Sequence, residues 1–192
     1  EIFSYLREVN PNIEISMYTN GGARNEIFWK ALAKLKVIIT FGIDGLEDTN
    51  HMYRRNVKWK NLIANVKAFI DNGGHAKWDL LVFKHNQNRI EDAKALSKTL
   101  GFKSFDATFS ERWQDFNSDG EYRDIKSLKV DDYVLEKPVD QKQNFVKDDD
   151  WTKSKNVFVE ERAEKDNFLT RKINCFACRP RKREIYLRAN GY

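Results

Sequence analysis

Hydrophobic and polar residues over the first hundred positions follow two alternating periods. Ile13-Glu14-Ile15-Ser16-Met17-Tyr18 alternates along a strand and ends in the turn cluster Thr19-Asn20-Gly21-Gly22. From about Asn25 to Leu35 the apolar positions Ile27, Phe28, Ala31, Leu32 and Leu35 recur on one helical face. Lys36 to Phe41 is almost wholly apolar, as expected of a strand covered on both faces, and it stops at Gly42-Ile43-Asp44-Gly45. A second helix is predicted from about Trp59 to Asp71, on Leu62, Ile63, Val66, Phe69 and Ile70, ending at Asn72-Gly73-Gly74. The unit then recurs as a strand from Lys77 to Phe83, a loop from Lys84 to Asn88, a helix from about Arg89 to Leu100 and a stop at Gly101. A last strand, Phe102 to Phe109, completes the pattern. Strands and helices alternating at this spacing predict an α/β fold with a parallel sheet built by right-handed crossovers.

From Ser110 to about Lys172 the periodicity fades into Asp, Lys, Glu, Asn and Gln, with scattered apolar residues such as Tyr133, Trp151 and Val157. That composition predicts a solvated polar linker carrying one short strand near Val157. Glu184-Ile185-Tyr186-Leu187 then leads into Asn190-Gly191, the opening of a hairpin whose returning strand would follow Tyr192. The expected division is therefore an α/β unit over 1–110, a polar linker or insert over 111–172, and the beginning of a further unit over 173–192. The pattern starts in mid-helix and stops in mid-hairpin, so the chain reads as an internal piece of a longer protein.

Composition narrows the class. The 192 residues are 41% hydrophobic and 33% charged, which is globular and excludes a disordered or collagenous chain. No run approaches the roughly 20 apolar residues that span a bilayer, and the first residues are not a basic signal-peptide region. The 34 Lys and Arg exceed the 29 Asp and Glu by a net charge of only +5, too little for a dedicated nucleic-acid binder. The two cysteines, Cys175 and Cys178, are too few and too close for a disulfide framework, and a reducing, cytoplasmic setting is expected.

In parallel α/β folds, ligands bind where the strand-to-helix loops gather, at the carboxyl ends of the strands. That rule collects Thr19, Asn20, Gly21 and Gly22, then Gly42, Asp44 and Gly45, then His85 and Asn86, then Ser110 and Glu111, on one surface. Glycine lets a ligand approach the backbone, and Thr, Asn and Asp bond its polar groups. Each cluster taken alone is equally ordinary turn and capping chemistry.

The strings Tyr18-Thr19-Asn20-Gly21 and Phe41-Gly42-Ile43-Asp44-Gly45-Leu46, followed by His51-Met52-Tyr53-Arg54-Arg55, resemble the third and fourth strands of the radical S-adenosylmethionine enzymes. That family has a Thr-Asn-Gly strand end, then a Ser-Ile-Asp-Gly strand end and, after a short helix, an Arg. The likeness runs from about Ile13 to Phe109 and implies the latter strands of a partial (β/α)6 barrel. It implies Thr19, Asn20, Gly42, Asp44, Arg54 and Asn86 around the nucleotide, with the Arg54 guanidinium forked onto the methionine carboxylate. Gly42 stands where Ser is usual, which removes a hydroxyl contact. Arg55 takes the role if the register moves by one, and a surface ion pair with Glu47 or Asp48 is the plain alternative for either Arg.

Near the end, Cys178 and Gly191, with Arg183-Glu184-Ile185-Tyr186-Leu187 between them, resemble the opening of a SPASM or twitch domain. The resemblance implies Cys175 and Cys178 as ligands of an auxiliary iron–sulfur cluster. Read without it, the pair is half a zinc knuckle, a redox pair or two buried thiols. The family's Cys-x3-Cys-x2-Cys motif and Gly-Gly-Glu strand end do not occur here. By resemblance, then, the parent protein reductively cleaves S-adenosylmethionine at a 4Fe–4S cluster, and the resulting 5′-deoxyadenosyl radical takes a hydrogen atom from a substrate. The substrate is unidentified, with a peptide among the candidates, and an electron-donor protein is implied. The isolated chain is expected to be inactive and to hold no catalytic residue. The rival reading is a non-catalytic α/β module that binds RNA or another polyanion through Arg179 to Arg183, with Tyr186 and Tyr192 as stacking surfaces. A flavodoxin-like enzyme is disfavoured because no Gly-rich phosphate loop with Lys and Ser or Thr occurs.

Overall fold

The computed structural model describes residues 2–110, 113–116, 122–130 and 133–139, all within one compact unit, Glu1–Asp148. Cys175, Cys178, the basic tail, the strand expected near Val157 and the final Asn-Gly turn lie outside the described residues. Helix α1 (Ile2–Val9) precedes β1 (Ser16–Thr19), α2 (Glu26–Lys34), β2 (Ile38–Gly42), the single turn α3 (Asn50–Tyr53) and α4 (Trp59–Ile70). Strand β3 (His75–Val82), α5 (Ile90–Leu100) and β4 (Ser104–Phe109) follow.

The fold is α/β. Its four strands pair in parallel in the order β1-β2-β3-β4, so order in space is order along the chain. Right-handed crossovers between successive neighbours deliver every helix to the same side of such a sheet. The packing agrees, since Trp29 of α2 and Phe69 of α4 both lie against Phe41 of β2, and Ile90 and Ala93 of α5 join the same core. Trp78 of β3 extends it through ring contacts with Phe102 and Phe105.

Local signals set the element ends. Asn25 caps α2 by accepting the Phe28 N–H at 3.3 Å, and Glu26 and Lys34 sit at the ends where the helix dipole favours them. Gly101, at φ 86°, closes α5 in the left-handed conformation, and the Phe102 N–H bonds the Ser97 carbonyl.

The strand period sorts residues between two unlike faces. Ile39, Phe41, Ala76, Trp78, Leu80, Phe105 and Ala107 face the helices and are buried. The alternate positions Thr40, Lys77, Asp79, Asp106 and Thr108 look the other way and are half-buried. The expectation for Lys36 to Phe41 holds in part: β2 is fully covered on its helix side and half-covered on the other, where Ile38 and Thr40 are half-buried and Gly42 is buried.

The expected polar linker also departs from its composition. Strand β5 (Gln114–Phe116) pairs antiparallel with β6 (Tyr122–Asp124), and β7 (Ser127–Val130) with β8 (Tyr133–Glu136). Strands of three or four residues are too short to print an alternation that a sequence reading can detect. They nevertheless bring Trp113 and Leu135 onto Phe83, just past β3, with Tyr53, Leu81, Leu128 and Tyr133 around them. The Lys84 N–H donates to the Glu136 carbonyl at 3.1 Å, and the same two side chains pair at 2.9 Å. A second apolar cluster thus stands at the carboxyl end of the sheet.

Candidate functional site

The exit of β2 is built around one buried carboxylate. Asp44, 1% exposed, accepts the Leu81 N–H from the neighbouring β3 at 2.8 Å on Oδ1. Its Oδ2 lies 2.5 Å from Nε of Arg54, whose side chain is 27% exposed. The Asp44 N–H donates to Oδ1 of buried Asn50 at 3.0 Å, and the Arg54 N–H to the Asn50 carbonyl at 2.9 Å. One turn of helix therefore carries the chain from Asp44 back to where the guanidinium meets the carboxylate. Removing Arg54 from this pair is destabilising, because the buried Asp44 carboxylate keeps its desolvation cost.

Gly42 completes this arrangement by its lack of a side chain. A Cβ there would stand 2.6 Å from Nη2 of Arg54 and 3.3 Å from the Tyr18 ring. The guanidinium fills the space over the strand end and lies 5.1 Å from the Tyr53 ring centroid, in cation–π range. Arg55 is directed elsewhere, with its guanidinium 4.4 Å from the Tyr133 ring centroid. Neither Arg takes Glu47 or Asp48 in a described ion pair, and Asp48 pairs with Arg89 at 3.0 Å.

Asn86 joins the same network from the exit of β3. It is fully buried, its Nδ2 donates to the carbonyls of Asp44 at 2.8 Å and Leu81 at 2.9 Å, and its Oδ1 accepts the Phe83 N–H at 2.7 Å. These backbone bonds use both amide donors, so Asn86 fastens the two strand exits together and has no donor left for a ligand. His85 beside it stacks on Phe83 with centroids 5.4 Å apart. Burial holds its imidazole below the ordinary range, with the charge of His51 adding to the effect.

Thr19 and Asn20 sit at the adjacent exit of β1, where Thr19 is in register with Phe41. Their side-chain oxygens close the turn, Oγ1 accepting the Gly21 N–H and Oδ1 the Gly22 N–H, each at 3.1 Å. Asn65 of α4 ties this loop down through the Gly21 carbonyl at 2.8 Å. Gly21 requires its residue type twice over, by φ 67° and by the 2.6 Å between a Cβ and Leu62. Asp44, Arg54 and Asn86 are thus one bonded cluster, with Gly42 beneath the guanidinium and Thr19 and Asn20 a strand away on the same rim.

A set of polar residues not singled out in the sequence lies on the sheet face turned from the helices. Asp79 is paired in register with Asp106, and its Oδ1 lies 3.0 Å from the Thr108 hydroxyl. Burial lifts the Asp79 carboxyl above the usual carboxylate range, the Thr108 hydroxyl opposes the rise, and the nearby Asp106 charge adds to it. The signal was the alternation Lys77-Trp78-Asp79-Leu80, which places two ionisable residues on one side of a central strand.

A folded-state pKa above the unfolded one means folding disfavours the ionised form, so the penalty is absent below about pH 4 and complete above the folded value. Asp79→Asn is accordingly expected to raise the melting temperature at pH 7, with the gain disappearing on acidification in paired thermal melts. A lower melting temperature at pH 7 would show that the carboxylate stabilises the fold.

No model of a known protein family matches the chain, and no curated protein matches it. Among the described residues no helix is long and apolar enough to cross a membrane, and no group of three or more His, Cys, Asp or Glu side chains is placed to hold a metal ion.

Proposed function

We propose that this chain is part of a radical S-adenosylmethionine enzyme and that the rim formed by β1, β2 and β3 holds the nucleotide. The observation that carries the reading is the Arg54 guanidinium, locked by Asp44 over Gly42 at a parallel strand end. The space where the family places a Ser side chain is here taken by Nη2 of the Arg, so a cationic donor replaces the hydroxyl. The monotonic strand order with helices on one side is also what an arc of a (β/α)6 barrel requires, whereas an open doubly wound sheet reverses its order.

In this reading Arg54 binds the ligand's carboxylate. Asp44 and, behind it, Asn86 act by positioning that guanidinium, which keeps it from swinging into solvent. The exposed turn at Thr19 and Asn20 borders the nucleotide from the next strand. Bound S-adenosylmethionine, with an iron–sulfur cluster, supplies radical chemistry that no side chain here can perform. The described residues are assigned the nucleotide alone.

Calorimetric titration of the full chain provides the test. S-adenosylhomocysteine should bind, and Arg54→Ala should weaken it at least about tenfold, as for loss of a charge-assisted hydrogen bond. Methylthioadenosine, which has no carboxylate, should bind with the same affinity to both forms. Equal weakening of the two ligands would remove Arg54 from carboxylate recognition, and absence of binding by the wild-type chain would refute the nucleotide site.

A further inference from the structure

The sheet face turned from α2, α4 and α5 carries a second cluster, which shares Gly42 with the rim. Gly42, Asp79 and Asp106 form one row across β2, β3 and β4. Lys77 opposite Ser104 forms the row before it, and Leu81 opposite Thr108 the row after. Residues directly paired on adjacent strands have Cβ atoms about 5 Å apart, so two carboxylates face each other across β3 and β4. Among the described residues, Lys77 alone stands at ion-pair distance: its Nζ is 3.8 Å from Asp106 Oδ2, and Asp79 has no cation that close, with the Arg54 guanidinium over Gly42 at the end of the row.

Independent of the carboxylates, Ser104 is 2% exposed, lies on the same face as Asp106 and Thr108, and has no hydrogen-bond partner for its Oγ. A hydroxyl buried to that degree is ordinarily bonded. Two carboxylates that share one Lys, and one unbonded hydroxyl in the next row, thus stand close together on the sheet.

We propose that this row binds the primary ammonium group of a ligand, held between the carboxylates of Asp79 and Asp106 with the Ser104 hydroxyl as a third acceptor. An ammonium carries three N–H donors and no acceptor, which matches that set. The chain's own Lys77 already places an ammonium nitrogen beside Asp106, so the face accommodates the group. A divalent cation is the poorer fit, since it seeks six or more oxygens and would sit beside the Lys77 charge. The site stands on the sheet face alone and does not rest on the nucleotide reading, although Gly42 belongs to both. If both are right, the ligand's amine binds one strand away from the Arg54 guanidinium, and the substrate class is an amine.

The full chain, at pH 7 and constant ionic strength, is titrated with butylammonium chloride and separately with tetramethylammonium chloride and manganese chloride. The readout is the carboxyl carbon shift of Asp79 and Asp106. Butylammonium should give a saturable shift, and tetramethylammonium, with equal charge and no N–H, should bind at least about tenfold more weakly. Asp79→Asn should weaken butylammonium at least about tenfold and Ser104→Ala about threefold, with native amide spectra for both. The comparison of the two cations on the wild-type chain needs no variant to fold. Equal response to both ammonium ions, a shift that never saturates, or displacement of butylammonium by manganese would overturn the proposal. A chain that fails to bind S-adenosylhomocysteine yet shows the selective ammonium response would leave this inference standing and remove only the nucleotide site.

Discussion

Trp78→Ala is expected to lower the free energy of unfolding by about 3–5 kcal/mol, the range for deleting a fully buried large aromatic ring. Domains of this size are commonly stable by only about 5–15 kcal/mol, so the variant should be close to unfolding at 37 °C. Two terms contribute. The ring is fully buried and touches Phe102 and Phe105, so its loss leaves a cavity in the middle of the helix-facing layer. Its Nε1–H also donates to the Ile43 carbonyl at 2.8 Å, holding the peptide between Gly42 and Asp44. Trp78→Phe separates the terms, since it keeps most of the apolar contact and leaves that carbonyl unpaired, for an expected loss of about 1–2 kcal/mol. Urea denaturation of both variants checks this. Equal losses would mean that the ring packing contributes nothing beyond the indole N–H.

Asn86→Ala should cost about 3 kcal/mol or more, because it strands one buried N–H and two carbonyls at the exits of β2 and β3, each unmade bond costing about 1–3 kcal/mol. Asn86→Asp should be no better, since it sets a carboxylate oxygen against the Asp44 and Leu81 carbonyls that now receive N–H groups. A loss below about 1 kcal/mol for the Ala variant in urea denaturation would show that water satisfies these groups and that Asn86 is not a fastening. The functional counterpart is weaker S-adenosylhomocysteine binding in Asn86→Ala with the methylthioadenosine affinity preserved. That pattern is expected of a residue that acts through Asp44 and Arg54, since it shares no atom with the ligand.

Much of the fold was legible because the apolar spacing is strong. The helix predicted from about Trp59 to Asp71 is Trp59–Ile70, and the one from about Asn25 to Leu35 is Glu26–Lys34. Strand boundaries shifted more. The run Ile13 to Tyr18 pairs only from Ser16, and Lys77 to Phe83 begins two residues earlier at His75, because strand limits depend on the neighbour's register. The rim residues could be grouped from the sequence, since loops after parallel strands must converge. Their bonding could not: nothing in the spacing distinguishes an Asn86 that faces a ligand from one that grips two carbonyls. Asp79 was overlooked for a related reason, as a charged residue inside an apolar strand reads as tolerated until its face is known. Trp113 and Leu135 escaped because their contacts form between segments too short to carry a period.

Strand order has a further consequence for how the chain reaches this state. Each strand's partners are its immediate predecessor and successor, so the sheet can grow by addition as the polypeptide leaves the ribosome. The β1–β2 pair can form before β4 has been made, and later strands attach without displacing anything. Each step then closes a single helical crossover, so no pairing waits on a distant part of the chain and the loop-closure cost is as low as a parallel sheet allows.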